Sequence, residues 1–143
     1  MSERTFIDTN VLIYADDDDS TEKRDIARAT IRQALETGSG VLSTQILQEY
    51  FVNATRKLGM RPDQARARIE QYLAMDIITV ETDRILAAID LHRLRGLSFW
   101  DAVVVRCAID AGCKRLLTED LQDGQRIQGV RIENPFAEHQ SAA

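Results

Sequence analysis

Short apolar runs alternate along this chain with longer stretches in which apolar residues recur at helical spacing. Thr5-Phe6-Ile7 reads as a short buried strand ending at Asp8, after which Val11-Leu12-Ile13-Tyr14 begins a helical turn. Ser20 is a candidate N-cap for a helix from about Thr21 to Glu36, with Ile26, Ala27, Ile31, Ala34 and Leu35 at apolar positions and Gly38 and Gly40 as its stop. Gly40-Val41-Leu42-Ser43 is a second strand candidate. The helix after it, Thr44 to Leu58, is expected to present Ile46, Leu47, Tyr50, Phe51 and Ala54 on one face. Pro62 suits the first turn of a helix reaching about Met75. Ile77-Ile78-Thr79-Val80 is a third strand, and a helix follows over about Asp83 to Leu94. The helix from Ser98 to about Ala111 is apolar on nearly every side, which predicts a buried, central position. Arg115-Leu116-Leu117-Thr118 is a fourth strand and Val130-Arg131-Ile132 a short fifth. This alternation predicts one α/β domain over residues 1–137, with a mostly parallel sheet of four to five strands covered by helices on both faces. Residues 138–143 are expected to form a frayed tail.

Length and composition narrow the class. The 143 residues, 44% apolar and 29% charged, fit one ordinary globular domain and exclude disordered, collagen-like and coiled-coil chains. No apolar run approaches the ~20 residues that cross a bilayer. Met1-Ser2-Glu3-Arg4 leads straight into the first strand without the basic-then-apolar pattern of a signal peptide, so a cytoplasmic protein is expected. Two cysteines and two histidines lack the paired spacing of a Cys/His zinc site. The net charge of −5, from 23 acidic and 18 basic side chains, matches a nucleic-acid backbone poorly. If such a chain handles RNA or DNA, something must offset its carboxylates.

Four acids stand where that offset could occur. Ligands of open parallel sheets bind beyond the carboxyl ends of the strands, where the strand order reverses. Asp8 follows strand one, and Asp120 follows strand four in Leu116-Leu117-Thr118-Glu119-Asp120. In a three-two-one-four-five order those strands are neighbours, and both carboxylates reach one crevice. Asp101 lies in the first turn of the apolar helix, in Ser98-Phe99-Trp100-Asp101-Ala102, and Glu49 lies on the helix after strand two, off its apolar face. Each has a plainer reading. Asp8 can cap the next helix, Asp101 can close a capping box with Ser98, Glu49 can be a solvated helix residue, and Asp120 a turn residue. As a set they repel one another by about 1 kcal/mol per pair at 4 Å in water, and by more at lower dielectric, so a fold keeps them together readily only around a cation. Carboxylate oxygens without His or Cys favour Mg²⁺ or Mn²⁺. Such an ion activates water toward a phosphodiester and offsets charge developing on the phosphate.

These segments resemble the PIN-domain family, and within it VapC-like toxin ribonucleases, over nearly the whole chain. Asp8-Thr9-Asn10-Val11-Leu12-Ile13-Tyr14 looks like the opening motif, Glu49 after Ser43-Thr44-Gln45 matches the mid-chain acid, and the Ser98–Ala102 and Leu116–Asp120 segments match the third and fourth motifs. The resemblance implies a three-layer α/β fold, a Mg²⁺- or Mn²⁺-dependent endoribonuclease, a cognate antitoxin partner and a homodimer. It implies that Asp8 and Asp101 ligate the metal most directly. Glu49 and Asp120 would complete the acidic site, through water or as base. Thr9 or Asn10 and Thr118 would support it by hydrogen bonding, with Asp123 as a possible extra acid.

Other features read more plainly. The Asp16–Asp19 run fits no family motif and is expected to be a solvated loop beside a helix N-terminus. Arg56, Lys57 and Arg61 can bind phosphates or an acidic antitoxin segment, but a solvated helix end is the expectation, and Arg66 and Arg68 are expected on the surface. Tyr14, Tyr50, Phe51 and Trp100 can stack a base, with core packing expected for Phe51 and Trp100. Cys107 is read as a small apolar filler, unbonded to Cys113. Two rivals to the nuclease remain. One is a catalytically silent module of this fold that binds RNA or a protein. The other is a haloacid-dehalogenase-like phosphotransfer enzyme, which requires a second Asp where Asn10 stands; a receiver domain lacks its phosphoacceptor in Val80-Glu81-Thr82.

Overall fold

A computed structural model describes residues 2–137; the tail expected over 138–143, with His139, lies outside the described residues. The strands are β1 (Thr5–Ile7), β2 (Gly40–Ser43), β3 (Asp76–Ile78), β4 (Arg115–Leu117), β5 (Arg126–Ile127) and β6 (Val130–Glu133). The helices are α1 (Thr9–Tyr14), α2 (Thr21–Thr37), α3 (Thr44–Lys57), α4 (Pro62–Tyr72), α5 (Thr82–Arg95) and α6 (Phe99–Asp110). The sheet order is β3-β2-β1-β4-β6-β5, parallel throughout except for the β5–β6 pair. Read on its parallel strands, this is the three-two-one-four-five arrangement assumed for the crevice above, with β6 as the fifth strand.

Apolar burial explains the strands. Phe6, Ile7, Val41, Leu42, Leu116 and Ile132 are fully buried, as a parallel sheet covered on both faces requires. α6 is the central helix that its composition predicts, with Ala102 to Val105, Cys107 and Ala108 all buried. Both cysteines are free and buried, and burial pushes their thiols up to about 11 at Cys107 and about 12 at Cys113, so neither offers a thiolate. Gly40 does more than stop α2: a Cβ there would stand 2.8 Å from Met75 Sδ and 3.0 Å from Ala34 Cβ.

The structure corrects several sequence expectations. α4 ends at Tyr72 rather than about Met75, and β3 ends at Ile78 rather than Val80, because the Val80 N–H donates to the Thr44 hydroxyl at 3.1 Å instead of continuing the ladder. A sixth strand, β5, pairs antiparallel with β6 through a two-residue turn with positive φ at both Gln128 (47°) and Gly129 (88°), the geometry such hairpins need. Phe51 and Trp100 are exposed rather than packed in the core. The buried stripe of α3 is Ile46, Tyr50 and Ala54, and Phe51 stands one residue, about 100° of helix, off it. Asp16 is not solvated: it accepts from the Tyr50 hydroxyl at 2.6 Å and pairs with Arg68 at 3.0 Å, tying the end of α1 to α3 and α4.

The register sets the site. Ile7 pairs with Leu117 as the last matched residues of β1 and β4. The next residue on each strand, Asp8 and Thr118, therefore emerge side by side at the carboxyl edge of the sheet.

Candidate active site

Asp8 is the N-cap of α1, in extended conformation (φ −76°, ψ 160°), so the capping role and the crevice position hold together. Its Oδ1 accepts the Thr9 backbone N–H at 2.7 Å and its Oδ2 accepts the Thr118 hydroxyl at 2.8 Å. Only 6% of Asp8 is exposed. Its carboxyl is pushed up to about 7, chiefly by burial; the bonds from Thr118 and Thr9 oppose this, and the charges of Asp120 and Glu49 add to it.

Thr118 is the hub. Its fully buried hydroxyl donates to Asp8 and accepts from the Asp120 backbone N–H at 3.1 Å and from Asn10 Nδ2 at 3.3 Å. Asn10 Nδ2 also donates to Asp120 Oδ2 at 3.1 Å. Glu49 reaches the same crevice from α3. The Thr9 hydroxyl donates to its Oε2 at 3.1 Å, and Gln45 Nε2 donates to its Oε1. Asp8, Glu49 and Asp120 thus line one cavity of about 450 Å³.

Asp101 sits differently. Its backbone N–H is capped by the Ser98 hydroxyl at 3.1 Å, as its plainer reading anticipates. Its half-buried side chain stands outside the cavity lining, at the start of α6. Burial raises its carboxyl, the charge of Asp120 adds to that, and hydrogen bonding with Ser98 opposes it. Asp120 therefore acts electrostatically on both Asp8 and Asp101. Asp123 is not brought to this crevice: its Oδ1 accepts the Asn134 N–H at 2.8 Å, and it borders a separate cavity with Arg115 and Glu133.

Sequence reasoning missed other groups here. Asp17 and Asp19 line the cavity, as does Lys57, which was expected only as a solvated helix end. Glu119, inside the fourth motif, accepts from the Tyr14 hydroxyl at 2.9 Å and from Lys23 Nζ at 3.2 Å, and Lys23 also lies over the Tyr14 ring. The long-range lysine leaves no periodic signal in the sequence.

The donor set suits a hard cation. It is all oxygen, its members repel one another, and Asn10 Oδ1 is buried without a partner. Among the described residues no three His, Cys, Asp or Glu side chains form a ready-made metal cage.

An acid-lined crevice beyond β1 and β4 of a doubly wound, mostly parallel sheet marks an α/β protein with its candidate site at the point where the strand order reverses. The chain belongs to the PIN-domain family, whose model matches residues 5–126. Its fold is similar to a toxin-antitoxin complex from Klebsiella pneumoniae (24% identity, 92% of this chain and 97% of that chain covered, TM-score 0.65). It is similar also to DNA-bound VapBC from Salmonella typhimurium (19% identity, 94% and 99% covered, TM-score 0.66). A third similar structure is the Sarcin-Ricin loop cleaving toxin VapC20 from Mycobacterium tuberculosis (19% identity, 78% and 86% covered, TM-score 0.58). No curated protein matches the sequence significantly. Among the described residues no helix is long and apolar enough to cross a membrane.

Proposed function

We propose that this chain is a Mg²⁺- or Mn²⁺-dependent endoribonuclease, a single PIN unit over residues 1–137, acting in the cytoplasm as the toxin of a toxin–antitoxin pair. The observation that carries the reading is Asp8: a buried carboxylate, held by Thr118 and Thr9, whose proton affinity is raised further by Glu49 and Asp120. A protein gains nothing structural from gathering like charges in this way. Family membership supports the nuclease class. The toxin–antitoxin complexes that share the fold support a cognate antitoxin as partner. A homodimer is part of the same proposal, on the family resemblance of the sequence alone.

In this mechanism Asp8 would hold the ion, and Asp101, which stands outside the crevice lining and is coupled to it through Asp120, would be the second ligand that the family resemblance implies. Thr118 and the Thr9 N–H fix both oxygens of Asp8, so its carboxylate does not need to reorient when it binds. When bound, the ion supplies Lewis-acid stabilisation of the phosphate and lowers the pKa of water. Glu49, steadied by Thr9 and Gln45, and Asp120, steadied by Asn10, are carboxylates placed to orient the attacking water or accept its proton. The rival reading is a silent binding module of the same fold. Cleavage of defined RNAs in Mg²⁺, Mn²⁺ and EDTA separates the two. The nuclease cuts with metal, stops in EDTA, and stops in folded Asp8→Asn and Asp101→Asn variants. Full cleavage by Asp101→Asn contradicts this assignment.

A further inference from the structure

Beside the acidic crevice lies a second groove of about 460 Å³, bordered by Gln45, Gln48, Glu49, Val52, Asn53 and Trp100. Glu49 and Asn53 border both cavities, so the groove opens directly onto the carboxylates. Trp100 leaves 63% of its surface exposed, on the residue just before Asp101. The Phe99 ring meets it edge-on at 5.1 Å, which supports the indole from one side. Gln45 forms part of the groove wall: it is 6% exposed, and its Nε2 donates to Glu49.

A planar apolar face beside side-chain amides able both to donate and to accept makes up the chemistry of a nucleobase site. An aliphatic occupant would cover Val52 and Trp100 but leave the amides of Gln48 and Asn53 unmatched, whereas a base edge carries both donors and acceptors. We propose that this groove seats one unpaired base of an RNA strand, stacked on Trp100 with its edge read by Gln48 and Asn53, next to the phosphodiester at the acidic crevice. The proposal rests on the nuclease reading above, and the test separates the two.

Trp100 is the single tryptophan, so its emission reports on this groove alone. The full chain in EDTA is titrated with a single-stranded RNA octanucleotide and with an abasic ribose-phosphate octamer of equal charge. RNA is expected to quench Trp100 saturably and the abasic strand is not. Anisotropy of the labelled octanucleotide is expected to show Trp100→Ala binding about 5- to 150-fold more weakly, the effect of losing one stacked base. Trp100→Phe is expected to keep most of the affinity, and Gln48→Ala to blunt discrimination among the four bases. Equal quenching by the abasic strand, or unchanged RNA affinity in Trp100→Ala, overturns the proposal. So does a change of oligomeric state in Trp100→Ala with RNA affinity intact, which makes the face an interface between copies. Quenching without cleavage in Mg²⁺ or Mn²⁺ leaves the base site standing and removes the nuclease; cleavage without quenching does the reverse.

Discussion

Asp8→Asn is expected to flatten the pH dependence of folding in metal-free buffer. Burial raises the Asp8 carboxyl from 3.8 to about 7, so the folded state holds that proton more tightly than the unfolded chain does. The stability this supplies is complete below the unfolded value, falls as pH rises, and is gone above about 7. Roughly three pH units at about 1.4 kcal/mol each give about 4 kcal/mol in full, of which about 3 kcal/mol falls between pH 4.5 and pH 8. Asn stays neutral and escapes the loss. Urea denaturation in EDTA at pH 4.5, 6 and 8 measures it: the stability of Asp8→Asn relative to the natural chain should rise by about 3 kcal/mol across that range. Mn²⁺ at pH 8 should then stabilise the natural chain by mass action, by about 2.7 kcal/mol at 100 times the dissociation constant, and leave the variant unchanged. Parallel stability curves for the two proteins would mean that Asp8 is solvated, and would refute the buried carboxylate on which the site is built.

Other perturbations test the frame around it. Thr118→Val keeps the shape but removes the hydroxyl that serves Asp8, Asn10 and Asp120; a loss of about 1–3 kcal/mol in chemical denaturation is expected, and an unchanged midpoint would dismiss the hub. Gly40→Ala drives a methyl into Met75 and Ala34, and about 1–3 kcal/mol of overpacking should lower the melting temperature, an effect Met75→Ala should relieve in the double variant. Asp16→Ala removes the carboxylate shared by the Tyr50 hydroxyl and Arg68, leaving them only Met60 Sδ and Gln71 Oε1. It should cost about 1–3 kcal/mol in thermal melts, whereas an exposed loop acid would cost less than about 0.5 kcal/mol.

The sheet was legible because its evidence is local. Each buried strand is a short apolar run, and Asp8 and Asp120 follow runs that pair as β1 and β4. Glu49 was legible as a crevice residue only through the family resemblance. A helical wheel places it off the apolar face, and what turns it inward is the Thr9 hydroxyl, 40 residues away. Asp16 read as one of four solvated acids because its partners, Tyr50 and Arg68, are distant in sequence. Asp123 looked like a spare site acid because the β5–β6 hairpin was unseen. Gln128-Gly129 is a weaker turn signal than Asn-Gly or Asp-Gly, and the Asn134 N–H that holds Asp123 follows directly after that hairpin. Trp100 was assigned to the core by residue type, yet it occupies the first turn of α6 on the side facing the groove.

Calorimetric titration with Mn²⁺ at pH 7.5, on the natural chain and on Asp8→Asn, tests most directly whether these acids gather to hold a divalent ion. Saturable binding by the natural chain that disappears in the folded variant is the predicted result. No binding by a natural chain that circular dichroism shows to be folded would contradict the site and leave a protein that uses the same architecture without metal chemistry.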